Sequence, residues 1–202
     1  MYKIGITGGI SSGKTTASNF FKKKGAYIFN ADQESKKHLK SSISLQHKLI
    51  DSFGSSITEG NKLSLIKLAK IAFSSKLNQD ILNGIMWPEV YILVHNQLID
   101  AEKEDYDIFV VDAAMIFEAK FENLFDATLL ISTQKNIRIE RAIKRSNLPL
   151  EQIQNRMSLQ MKESEKRAKA KHIVTNNKTE EDLILKLNKL YDKEIEPYIH
   201  SQ

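Results

Sequence analysis

Gly8-Gly9-Ile10-Ser11-Ser12-Gly13-Lys14-Thr15 sets a lysine and a hydroxyl directly behind the second of two spaced glycines. That pattern, G-x-x-x-x-G-K-[ST], lets consecutive backbone N–H groups curl around phosphate oxygens while a helix N-terminus points at them. Lys14 would neutralise the β- and γ-phosphates, and the Thr15 hydroxyl would ligate Mg²⁺. The chemistry on offer is nucleotide binding with phosphoryl transfer, and Gly8, Gly9, Ser11, Ser12, Gly13, Lys14, Thr15 and Thr16 are the residues expected at ATP. A glycine-rich turn without nucleotide is the plain alternative. An apolar run before the motif and a helical one after it speak against that.

Phosphoryl transfer asks for positioning, charge neutralisation and a group to take the acceptor's proton. Asp32, just past a second apolar run, is the candidate for the last role; it could equally cap a helix opening at Gln33-Glu34-Ser35. Asp112 ends the run Ile108-Phe109-Val110-Val111 in the Walker B manner and would hold Mg²⁺ directly or through water, with a turn-capping carboxylate as the alternative. Arg138, Arg141 and Arg145 fall three and four residues apart, hence on one helix face, and with Arg156, Lys166 and Arg167 they could grip a triphosphate. A solvated basic face explains part of that set, so Arg141 and Arg145 are favoured. The histidines at 38, 47, 95, 172 and 200 have no metal-ligand spacing.

These groups need elements to hold them. Residues 2–7, 26–29, 108–112, 127–132 and 172–176 read as apolar strands, and 14–24 as a helix closed by Gly25. From 64 to 104 apolar residues recur every three or four positions, predicting a helical insert whose last stretch opens at Pro88. The basic segment 136–171 breaks at Asn147-Leu148-Pro149, and a C-terminal helix runs from Thr179, its N-cap, with Glu180, Glu181 and Asp182 in its first turn. Strands alternating with helices predict an α/β protein with the P-loop NTPase fold: a parallel sheet flanked by helices, a helical substrate-binding insert and a basic lid. The expected organisation is one unit, with a nucleotide core at about 1–60, 105–135 and 172–202, the acceptor insert at about 61–104 and the lid at about 136–171.

With 202 residues, 41% hydrophobic and 27% charged, the chain suits one sizeable core. No apolar run is long enough for a membrane helix, and the motif follows Met1 too closely for a cleaved signal, so a cytoplasmic location is expected. The absence of cysteine fits a reducing compartment and excludes thiolate chemistry. A net charge of +5 comes in short lysine clusters without interleaved aromatics, so phosphorylated metabolites are expected as partners rather than nucleic acid. Nothing in the sequence speaks to oligomeric state.

The chain resembles the dephospho-coenzyme A kinase family over most of its length. Ile6-Thr7-Gly8-Gly9-Ile10-Ser11-Ser12-Gly13-Lys14-Thr15-Thr16 is similar to the family's T-G-G-I-G-S-G-K-S opening. Ala31-Asp32 matches its D-A-D turn, and Pro88, Asp112 to Glu118, Arg141, Arg145, Arg156 and Gln160 follow in order. The resemblance implies that loop 8–16 binds ATP and that Asp32, aided by Lys14 and Arg141, phosphorylates the ribose 3′-hydroxyl of dephospho-coenzyme A. It further implies that Arg141 and Arg145 border a mobile lid, and it puts the acceptor pocket at Asp32, Trp87, Pro88, Phe117 and Glu118. The departures gather on the acceptor side: Asn30 stands for the first Asp of D-A-D, Ser64-Leu65 for Asp-Arg, Trp87 for His, Ala113-Ala114 for Ile-Pro, and Lys171 for Asp. Lys62, Lys67 and Lys70 are candidate replacements for the missing positive charge. Alternatives are a kinase of the same fold with another nucleoside or nucleotide acceptor, and an ATP-binding switch or pseudokinase.

Overall fold

The computed structural model describes residues 1–145 and 149–200. The chain forms β1 (Tyr2–Thr7), α1 (Lys14–Lys23), β2 (Tyr27–Asn30), α2 (Ala31–Ser41), α3 (Ile43–Phe53), β3 (Thr58–Glu59) and β4 (Lys62–Leu63). These are followed by α4 (Leu65–Ala72), α5 (Lys76–Lys103), β5 (Ile108–Asp112), β6 (Ala127–Ser132), α6 (Lys135–Arg145), α7 (Leu150–Ser158) and α8 (Glu163–Lys169). Last come β7 (His172–Thr175), α9 (Glu180–Leu190), a π-helical turn at Tyr191–Ile195 and α10 (Glu196–His200).

The main sheet has the order β2-β5-β1-β6-β7 with every neighbour parallel. Its strands are apolar on both faces because helices cover both. Ile4, Ile6, Ile108, Val110, Leu129 and Ile131 pack on one side against Phe20 and Phe21 of α1 and Leu183 and Leu187 of α9. Phe29, Phe109 and Val111 face the other side, where Val94 and Ala101 of α5 lie. The expected P-loop NTPase architecture is the one observed.

A further core joins Leu39, Leu45, Leu49, Ile57, Leu68 and Ala72 to Leu82, Ile85 and Met86. Helical packing thus reaches back beyond the insert expected at 64–104 to α2 and α3, which also carry serines at their junction. Ser42 is one of these; its side chain caps α3 by accepting the Leu45 N–H at 3.3 Å.

Pro88 does not open a helix; it lies inside the 28-residue α5. An interior proline removes one backbone hydrogen bond and crowds the carbonyl four residues back, here that of Gly84. Tertiary packing outweighs this cost: residues before Pro88 belong to the helical core and those after it, Val90 to Ala101, to the sheet. Of the expected break in the basic segment, Asn147 and Leu148 lie outside the described residues, while Pro149 directly precedes α7.

The basic segment is fastened to the core by a buried ion pair. Lys166 of α8 is 1% exposed and its ammonium donates to Glu118 Oε1 and to the Ala114 carbonyl, both at 2.9 Å, while Glu118 also accepts the Met161 N–H. Removing one partner leaves an uncompensated charge in the interior, at about 3–5 kcal/mol, whereas removing both can be nearly neutral. Lys166→Met is therefore expected to lower the urea unfolding free energy by about that amount. Adding Glu118→Leu to it should recover most of the loss.

Candidate active site

Strand register assembles the site. β1 pairs with β5 so that Ile6 lies opposite Asp112, and β5 pairs with β2 so that Asp112 lies opposite Asn30. The loop after β1, the acid ending β5 and the turn carrying Asp32 therefore leave neighbouring strands at one sheet edge, where open α/β sheets bind ligands.

Within the loop, Gly13 has φ 105° just before α1, and a side chain there would run into the Asn176 amide. Asn176 Nδ2 and Thr133 Oγ1 both donate to the Ser12 carbonyl, at 2.8 and 2.9 Å. The Lys14 ammonium donates back to the Gly8 carbonyl at 3.3 Å, which folds it over the loop. Ser11 sits at φ 58°, a left-handed geometry that costs a residue with a Cβ about 1 kcal/mol. Gln160, between α7 and α8, accepts the Ile10 N–H at 3.3 Å.

Asp112 is 3% exposed. Burial pushes its carboxyl up from the usual carboxylate range, against the opposing pull of the Lys14 ammonium and the Ser18 hydroxyl, with Asp32 adding to the rise and Arg145 resisting it. Ser18 Oγ lies one helical turn beyond Lys14, 3.0 Å from Asp112 Oδ2 and 3.0 Å from the Lys14 carbonyl. A turn-capping role for Asp112 does not describe this arrangement. A divalent cation fits: Thr15 and Asp112 offer only oxygen donors, and a buried carboxylate pushed toward protonation gains from a positive partner.

Asp32 stands in the first turn of α2 and is exposed. The cap of that helix is Asn30, whose Oδ1 accepts the Gln33 N–H at 2.9 Å, so the capping alternative for Asp32 does not hold.

The basic constellation divides. A cleft of about 290 Å³ is lined by residues 11–16, Arg141, Arg145, Asn176, Glu180 and Leu183. Arg141 is held there by the carbonyls of Asn176 and Lys178, both at 3.2 Å. Arg156 lies over the Phe73 ring at 5.2 Å, Lys166 is in its ion pair, and Arg167 donates to Ser132 Oγ at 2.9 Å. Of the expected acceptor residues, Trp87 is half-buried and Pro88 exposed on α5, while Phe117 is 2% exposed and Glu118 is committed to Lys166. Those last two brace the segment after β5 from inside.

Thr133, Asn176, Ser18 and Gln160 were not foreseen as parts of the site. Ser18 had a signal, one turn after Lys14. Gln160 was marked only as a match to the family and Thr133 not at all, since they reach the loop from 150 and 121 residues away.

A phosphate-cradling loop after the central strand, with a buried acid on the neighbouring strand and a second acid one strand further out, places the chain among the P-loop kinases. A family model described as dephospho-CoA kinase matches residues 2–182. A dephospho-CoA kinase of Bacteroides fragilis is 33% identical over 175 residues, 87% of this chain and 84% of that one. A solved structure from Thermus thermophilus superposes with a TM-score of 0.78 at 26% identity, over 96% of this chain and 97% of that chain. That of the Campylobacter jejuni dephospho-CoA kinase gives 0.65 at 25% identity, over 95% and 96%. The chain belongs to the dephospho-CoA kinase family.

Two variants probe this geometry. Gly13→Ala combines a forbidden φ with a clash against Asn176, and should abolish measurable ATP binding by calorimetry. Asp112 is the reverse case for stability. Its folded pKa lies above the unfolded value of 3.8, so its ionisation costs stability as pH rises through that window. Asp112→Asn should leave the urea midpoint at pH 7 in metal-free buffer equal to or above wild type while phosphoryl transfer falls at least about 100-fold.

Proposed function

We propose that the chain transfers the γ-phosphoryl group of ATP to the ribose 3′-hydroxyl of dephospho-coenzyme A, yielding coenzyme A and ADP. One observation carries the reading: in a chain of this family, the phosphate loop, Asp112 and Asp32 occupy the ends of three adjacent parallel strands. Residues 8–16 hold the polyphosphate through backbone N–H groups, and Lys14, Arg141 and Arg145 neutralise it. Mg²⁺, held by Thr15 and Asp112, would draw charge from the transferring group. Asp32 takes the proton of the attacking hydroxyl or orients it; its exposure at the sheet edge leaves it open to an acceptor.

The acceptor is assigned to the helical unit between β2 and β5. Asp32, Trp87 and Pro88 are its surface, whereas Phe117 is buried and Glu118 is paired with Lys166, so neither lines it. In this reading about 1–60, 105–135 and 172–202 form the nucleotide core, about 61–104 the acceptor insert, on which α2 and α3 of the core pack, and about 136–171 the lid. ATP and dephospho-coenzyme A are the proposed partners, without nucleic acid or membrane, in the cytoplasm; the cysteine-free composition suits that compartment. Among the described residues, no helix is long and apolar enough to cross a membrane.

The deciding measurement is a coupled ADP-release assay with dephospho-coenzyme A, nucleosides and nucleoside monophosphates as separate acceptors. Turnover is expected with the first; turnover only with another acceptor would move the chain to a different substrate, and none with any acceptor would make it an ATP-binding protein. Asp32→Asn should lower kcat about 10²- to 10⁴-fold with ATP affinity retained.

A further inference from the structure

A second cleft, of about 620 Å³, opens on the far side of the phosphate loop and has Gly9 in its wall. Arg138 of α6 lines it. The Arg138 guanidinium meets Gly9 through Nη1: a side chain at Gly9 would overlap Nη1 and come within 2.8 Å of Cζ. Gly9 is itself not in a left-handed conformation, so the arginine, and not the backbone, is what excludes a side chain there.

Arg138 is also oriented. Its Nε donates to the Thr133 carbonyl at 3.1 Å, and Thr133 is the residue whose hydroxyl grips the Ser12 carbonyl at 2.9 Å. One edge of the guanidinium is thereby tied to the loop's own anchor, its Nη1 stands against the loop at Gly9, and the side chain lines the cleft. Among the described residues no carboxylate forms an ion pair with it. Glu163 lines the same cleft but is not paired with it among the described residues, so this half-buried cation beside the phosphate loop can take an anion as its partner.

We propose that Arg138 is a further catalytic residue, with its terminal N–H groups on the outermost phosphoryl group of bound ATP. It would act from the Gly9 side, while Arg141 and Arg145 act from the cleft on the Ser11–Thr16 side. In the transfer step the acceptor oxygen forms its bond to the γ-phosphorus, the bond from that phosphorus to the β–γ bridging oxygen breaks, and ADP leaves with the electron pair. The hydroxyl proton passes to Asp32. Arg138 exchanges no proton, because a guanidinium stays charged at any working pH; it meets negative charge as that charge spreads over the equatorial oxygens. This assignment rests on the kinase reading above.

The test compares Arg138→Ala, Arg138→Gln and wild type. Glutamine keeps a donor for the Thr133 carbonyl and deletes the charge, which separates a strut from a phosphate ligand. Both variants should lose about 10²- to 10³-fold in kcat with urea midpoints unchanged. Affinity for ATP, titrated without acceptor, should fall several-fold, and that for ADP, which lacks the contacted group, less than twofold. Added guanidinium should restore at least about tenfold of the activity of Arg138→Ala, as an exogenous fork can replace the missing one. Equal weakening of ATP and ADP, wild-type behaviour of Arg138→Gln, or a loss that follows the urea midpoint would overturn the proposal. The ATP-against-ADP comparison requires no acceptor, so it decides the role of Arg138 even if dephospho-coenzyme A proves not to be the substrate, which the acceptor screen on wild type decides separately.

Discussion

The carbonyl oxygen of Ser12 accepts two hydrogen bonds, from Thr133 after β6 and from Asn176 after β7, and the phosphate loop keeps its shape through them. A loop whose N–H groups must point inward at a ligand has to turn its carbonyls outward, and a buried carbonyl needs donors. Thr133 and Asn176 supply them from two strand ends on one side of β1. The same contact explains Gly13, since the Asn176 amide occupies the space a side chain would need. Arg138 and Arg141 attach to this anchor in turn, one at the Thr133 carbonyl and the other at the Asn176 carbonyl.

α5 has a comparable part in joining the helical core to the sheet. Its first half lies in the helical core with Leu39, Leu45 and Leu49, and its second half packs on the sheet beside Phe109 and Val111. Pro88 falls where the helix passes from one core to the other. His38 of α2 and Lys48 of α3 converge on Glu89 at 3.1 and 3.3 Å, tying the helix that carries Asp32 to the same point of α5. The His38 hydrogen bond, then that from Lys48, hold the Glu89 carboxyl below its ordinary pKa against the effect of burial. Any movement of Asp32 relative to the loop therefore has to disturb α5.

On the other side of the site, residues 150–169 are fastened to several parts of the molecule. Arg156 meets Phe73 beyond α4, Gln160 meets Ile10 in the loop, and Lys166 meets Glu118 and Ala114 after β5. The first is a partly exposed cation–π contact and the second a single neutral hydrogen bond, each of about 1 kcal/mol. The third is a buried pair and much harder to break. Of these contacts, the Lys166 pair holds α8 more firmly than the Arg156 and Gln160 contacts hold α7 and the turn after it.

The sequence by itself determined the loop, the strands around it and the two acids. Glycine spacing, unbroken apolar runs and a Lys-Thr pair are local signals, each set within a few residues of chain. It also determined the family resemblance, carried by Gly8 to Thr16 and by Asp32, Arg141 and Arg145 in order. What it left open depended on distance in three dimensions. Asp32 was either a cap or a free acid until Asn30 was seen to take the cap, and Pro88 was a helix start until two separate cores were seen to hold α5 through it. Whether Phe117 and Glu118 face a pocket or the interior depends on Lys166, some 50 residues further along the chain. The contacts that Thr133, Asn176, Gln160 and Arg138 make around the loop are set by the tertiary fold, with β6 beside β1 and β7 beyond it, because hydrogen bonding and burial act on neighbours in space and a linear pattern records only neighbours in the chain.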